Sequence, residues 1–113
     1  MKPLVSVIVP LYNASAYVTE ALDSVLASTY RPLEVVVVDD GSKDDSLSVV
    51  QTYAKMHPEV RVLHQENAGV SVARNHAIHK AKGEYILPVD ADDKIGQTYI
   101  EHAVAAMQEG VRV

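Results

Sequence analysis

Val35, Val36, Val37 and Val38 form an unbroken β-branched run inside the segment Leu33 to Val38. A strand with one wet face alternates apolar and polar residues, so a run without alternation predicts a strand covered on both faces. Such strands belong to parallel sheets sandwiched between helices. Similar runs recur at Leu4 to Val9, ended by Pro10, at Val60 to Leu63, and at Tyr85, Ile86, Leu87 and Val89. Between them the apolar period changes to that of a helix face: Val18, Ala21, Leu22, Val25 and Leu26, then Leu47, Val50 and Ala54. Val70, Ala73, Ala77 and Ala81 repeat the pattern, as do Ile100, Ala103, Val104 and Met107. Tyr30-Arg31-Pro32, His57-Pro58, Gly83 and Gly110 stop the four helices. Asn13 or Ser15 is expected to cap the first, and Ser42 with Asp45 to cap the second. Val111 to Val113 read as the start of a fifth strand. Strand and helix alternate four times, which gives an α/β fold, a mostly parallel sheet with helices on both faces and right-handed crossovers.

At 113 residues the chain is expected to form one domain, residues 1–113. A net charge of -5 and ten scattered basic residues exclude a phosphate-backbone track, so no nucleic-acid partner is expected. The absence of cysteine rules out disulfides and thiolate metal sites and suits a reducing compartment. The first apolar segment is too short for a signal core or a membrane span. A cytoplasmic location follows as the expectation, leaving room for membrane association of a longer protein.

If the strands are parallel, the loops that follow them share one rim: Pro10 to Asn13, Asp39 to Ser42, Glu66 to Gly69 and Asp90 to Asp93. Seven of the eight aspartates lie in or just after two of these loops, and Asp23 alone lies elsewhere. Asp44 and Asp45 can serve as helix-dipole partners. Asp90 and Asp92 have no such explanation; on an extended backbone they would point the same way, and two close like charges need a cation between them. Aspartate oxygens suit a hard divalent ion, Mn or Mg. The competing reading of this Asp-x-Asp is a solvated acidic loop. Arg74 falls in the first turns of the third helix, where the macrodipole disfavours a cation, so an anion should sit near it. That anion is either a diphosphate or an aspartate across the rim. Tyr12 can stack a ring on a base or pack its own loop. His57, His64, His76, His79 and His102 show no ligand spacing and read as surface residues.

Four blocks of rim sequence together resemble family 2 glycosyltransferases. They are Val5-Ser6-Val7-Ile8-Val9-Pro10-Leu11-Tyr12-Asn13, then Val37-Val38-Asp39-Asp40-Gly41-Ser42, then Asn67-Ala68-Gly69 with Ala73-Arg74-Asn75, and finally Gly83-Glu84-Tyr85-Ile86 leading to Asp90-Ala91-Asp92-Asp93. The resemblance implies a Rossmann-like GT-A fold, truncated after about four βα units. It also implies metal-dependent, inverting transfer from a nucleotide-sugar donor, a UDP-sugar by preference, to a glycan or lipid-linked acceptor. By position in the blocks, Pro10 and Tyr12 would line the base pocket, Asp40 would accept from the base ring, and Arg74 would lie beside the donor. Asp90 would face the ribose or sugar, and Asp92 would hold the metal. The catalytic base is expected beyond Val113, in an acceptor-binding half that this chain does not contain. Three alternatives stand beside this reading: a nucleotidyltransferase, a phosphoacceptor signalling domain and a non-catalytic nucleotide-binding module. The first lacks its glycine-rich basic loop after the first strand, and the second lacks its late lysine.

Overall fold

The computed structural model describes residues 2–110, in which strands and helices alternate. They are β1 (Val5–Leu11), α1 (Val18–Leu26), β2 (Leu33–Asp40), α2 (Ser46–Met56), β3 (Val60–Gln65), α3 (Val70–Lys80), β4 (Tyr85–Pro88) and α4 (Tyr99–Gln108). The sheet order is β3-β2-β1-β4, with every pairing parallel. β1 is buried along its whole length and β2 at every position but Glu34, as the valine run requires. Full burial of a valine or isoleucine contributes about 1.5–3 kcal/mol, so these two strands dominate the core.

The two sheet faces are covered unequally. Val5, Val7, Val9, Leu11, Val35 and Val37 face the larger layer, where Leu22 of α1, Val50 of α2 and Ile100 of α4 close the core. Ile8, Val36 and Val38 face α3, which presents only Ala73 and Ala77 as fully buried residues. Small alanines let that helix lie close to the sheet, which brings the start of α3 against the ends of β1 and β2.

Three local expectations are corrected. None of the expected residues caps α1 or α2; the first N–H of α2, from Ser46, is taken by Asp44 Oδ1 (2.9 Å). Instead Asn13 N–H donates to Ser42 Oγ (3.0 Å), Lys43 N–H donates to Asn13 Oδ1 (2.8 Å), and Ser15 N–H donates to Asp44 Oδ2 (3.3 Å). The residues suited to capping thus tie two rim loops together, because the parallel register sets those loops side by side. β4 is an edge strand among the described residues, so Tyr85 and Ile86 are half-buried, whereas Leu87 and Val89 are buried. Val70, expected on the buried face of α3, is 51% exposed because it opens the helix at the rim. The proposed fifth strand lies outside the described residues.

Candidate functional site at the strand ends

Because every strand is parallel, β1, β2, β3 and β4 all end at one rim, and β2 delivers two aspartates there. Their side chains leave opposite faces of the strand. Asp39 is fully buried; its Oδ2 accepts from Ser42 N–H (3.3 Å) and pairs with His64 Nδ1 (3.0 Å), while Oδ1 has no protein partner. Asp40, 4% exposed, accepts four N–H bonds. Oδ1 takes Gln65 Nε2 (2.9 Å) and Ala68 N–H (2.8 Å); Oδ2 takes Gly69 N–H (3.0 Å) and Asn67 Nδ2 (3.2 Å). Burial works to raise the Asp40 pKa, but the Ala68, Gln65 and Gly69 bonds outweigh it, and the carboxyl titrates below its ordinary value. Its two oxygens therefore organise the whole 67–69 loop. Gly41 allows this approach, since its φ is 70° and a Cβ there would stand 2.7 Å from Asn67 N.

Asp90, Asp92 and Asp93 follow β4. Each offers a carboxylate oxygen within 4.8 Å of the others, the only such group of three among the described residues. The extended alternation expected of them is absent. A turn closed by Asp93 N–H to Asp90 O (3.0 Å) folds the segment back and gathers the acids. All three are exposed, and an all-carboxylate donor set with room for water matches what Mn or Mg takes. Arg74 Nη2 lies 3.3 Å from Asp90 Oδ1, with both side chains about half exposed, while Arg74 Nε is buried without a partner. The anion expected near Arg74 is thus Asp90 in this structure.

Two hollows join these features. One of about 230 Å³ is lined by Pro10, Tyr12, Asp40, Asn67 and Val70, and its neighbour of about 290 Å³ runs from Pro10, Tyr12 and Val70 to Asp90 and Asp92. Tyr12, 44% exposed, stands in both. Pro10, Tyr12, Asp40, Asp90 and Asp92 therefore line one continuous groove, and Arg74 reaches it through Asp90. Reading residues singly missed Gln65, Asn67 and two histidines. His64, exposed as expected of a surface residue, pairs with Asp39, and half-buried His76 bonds Gln65 Oε1 through Nδ1 (2.9 Å); away from the site, half-buried His57 stacks on Tyr53 at 4.0 Å. The available signal was position: Gln65 and His64 end the strand beside β2.

Residues 6–113 match the glycosyl transferase family 2 profile. The chain belongs to glycosyl transferase family 2. It is 43% identical over 110 residues to the glycosyltransferase GlyG of Streptococcus pneumoniae, covering 96% of this chain and 36% of GlyG. TarS of S. aureus, solved with UDP-GlcNAc, is 39% identical with a TM-score of 0.83 over 96% of this chain and 32% of its own. The mannosyltransferase PcManGT from Pyrobaculum calidifontis, solved with GDP-Man and Mn2+, is 35% identical with a TM-score of 0.86 over 92% of this chain and 32% of its own. The chain therefore spans about a third of the length of these family members, and its Rossmann-like sheet is the GT-A fold. Family membership displaces the nucleotidyltransferase and phosphoacceptor readings. Among the described residues no helix is long and apolar enough to cross a membrane.

Proposed function

We propose that the rim groove binds a nucleotide-diphosphate sugar and that this chain is the donor-binding part of an inverting, metal-dependent glycosyltransferase. The observation that carries the reading is the continuity of the groove, from a carboxylate-floored pocket at Asp40 to the acidic turn at Asp90 to Asp93. In this reading the base lies against Pro10 and Tyr12, and its ring N–H is accepted by Asp40. Asn67 Nδ2 makes the longest of the four Asp40 bonds, at 3.2 Å, and is the donor that yields. Asp90 faces the ribose or sugar, and Asp92 supplies the principal metal ligand. A divalent ion held there would neutralise charge on the diphosphate leaving group.

Arg74 contributes on the same end. Its pair with Asp90 is solvent-exposed and worth no more than about 1 kcal/mol, so a diphosphate can replace Asp90 at little cost. A phosphate oxygen at that position would take the Nη2 N–H that Asp90 now holds. Inverting transfer requires a carboxylate that takes the acceptor proton on the face opposite the leaving group. The rim acids are committed to loop structure, ion and donor, so this chain supplies no base in this reading. The acceptor, a glycan or lipid-linked glycan, is engaged by residues outside this chain.

A thermal-shift panel of UDP, GDP, CDP and TDP sugars with Mn tests the reading. A base-selective rise in melting temperature with at least one of them is the expected result, and no shift with any would overturn it.

A further inference from the structure

The Asp40 carboxylate is tied to α3 through one amide, and the polarity of that tie is fixed by chemistry alone. A carboxylate only accepts, so the atom of Gln65 that faces Asp40 Oδ1 must be Nε2 (2.9 Å). The opposite atom, Oε1, therefore faces His76 Nδ1 (2.9 Å), and an amide oxygen only accepts. His76 must then carry its proton on Nδ1. The result is a one-way chain of donors, from His76 on α3 to Gln65 at the end of β3 to Asp40 at the end of β2. Asp40 in turn holds Ala68 and Gly69, the loop that walls the pocket and opens α3. Gln65 and His76 are both half-buried, so neither bond is fully exposed to competition from water.

We propose that His76 and Gln65 are positioning residues for the nucleotide pocket: His76 fixes the direction of the Gln65 amide, and the amide fixes the Asp40 carboxylate that receives the base. This rests on the donor-site reading above. Neither residue lines the groove, so each acts only through Asp40.

The test uses the near-isosteric series His76→Asn and His76→Asp. The asparagine amide places an N–H where Nδ1 stood; the aspartate places an acceptor there and sets two carboxylates against one amide. His79→Asp, on the exposed last turn of the same helix, adds the same charge away from the chain of bonds. Affinities for UDP and for GDP are measured by calorimetry in the presence of Mn, with folding of each variant checked by circular dichroism. His76→Asp should weaken the nucleotide that wild type prefers by about ten-fold or more, whereas His76→Asn and His79→Asp should stay within about three-fold of wild type. If His76→Asp fails to fold, His76→Leu removes the donor without adding charge and should still weaken binding, by about three- to ten-fold. In a Gln65→Leu background, substitution of His76 should have no further effect, because the intermediary is gone. Equal loss in His76→Asn and His76→Asp, or undiminished affinity in His76→Asp or its leucine substitute, would overturn the relay alone. Absence of nucleotide binding by the wild-type chain would instead overturn the donor-site reading on which the relay rests.

Discussion

Replacing Asp40 by alanine removes the acceptor for four N–H groups at once, and the consequence for stability can be bounded from the geometry. Hydrogen bonds to a charged group are worth about 1.5–3 kcal/mol each, so four taken at face value would amount to about 6–12 kcal/mol, comparable to the whole stability of a small domain. That sum is too large, because Asn67, Ala68 and Gly69 are exposed and water can reach their N–H groups once the carboxylate is gone. Only the Gln65 amide, half-buried and held at its other end by His76, is left poorly hydrated. A net loss of about 2–4 kcal/mol is expected, with nucleotide affinity falling as well. Asp40→Asn keeps one acceptor oxygen but turns an NH2 group toward two donors, so it should cost about half as much or more. Urea denaturation followed by circular dichroism measures the effect, and the slope of the transition checks that the unfolded state is unchanged. A midpoint shift in Asp40→Ala corresponding to less than about 0.5 kcal/mol, the level of an ordinary surface substitution, would show that the carboxylate does not organise the loop.

Gly41→Ala should destabilise the protein by about 1–3 kcal/mol, since the residue has φ 70° and its Cβ would stand 2.7 Å from Asn67 N; thermal denaturation showing no loss would mean that the loop gives way freely. Stability should also fall in acid. Asp40 titrates below its ordinary value, and Asp44 is held down to about 2, first by the Ser46 side chain and further by the Ser46 and Ser15 backbone N–H groups against some desolvation. Both carboxyls are depressed on folding, so their contribution is complete above the unfolded value of about 3.9 and is lost as pH falls through the folded values, toward about 2 for Asp44. Urea midpoints measured across that window should decline, and Asp40→Asn should decline less steeply than wild type; parallel pH profiles would contradict the assignment.

The architecture was legible because Val35 to Val38 leave little choice: four consecutive apolar residues on a strand need cover on both faces, and the alternating helices then make the sheet parallel. The rim follows from that topology, which is why Pro10, Tyr12, Asp40, Asp90 and Asp92 could be grouped before their distances were known. What the sequence hid were bonds between segments far apart in the chain. Asn13 and Ser42 carry local cap chemistry, yet their partners lie 29 or 30 residues away, in a loop that only the parallel register brings near. His64 and His76 lack any ligand spacing, and their partners Asp39 and Gln65 lie 25 and 11 residues away. The acids of the 90–93 segment do cluster, but a turn and not strand alternation gathers the three carboxylates. The apolarity of β4 does not distinguish a central strand from an edge, and β4 is an edge with only Leu87 buried among its four residues.

Dependence of nucleotide binding on a divalent ion tests the central claim most directly, because the groove is useful to a nucleotide-diphosphate sugar only if the acidic turn and the base pocket act on one ligand. Calorimetric titration of UDP and of GDP, each with Mn and again with a chelator, should be run on the wild-type chain and on Asp92→Asn. The account predicts binding with Mn that weakens by about ten-fold or more when the metal is removed, and a similar loss in Asp92→Asn, since a neutral amide is a poor ligand for a hard cation. Equal affinity with and without metal, and in both proteins, would contradict it.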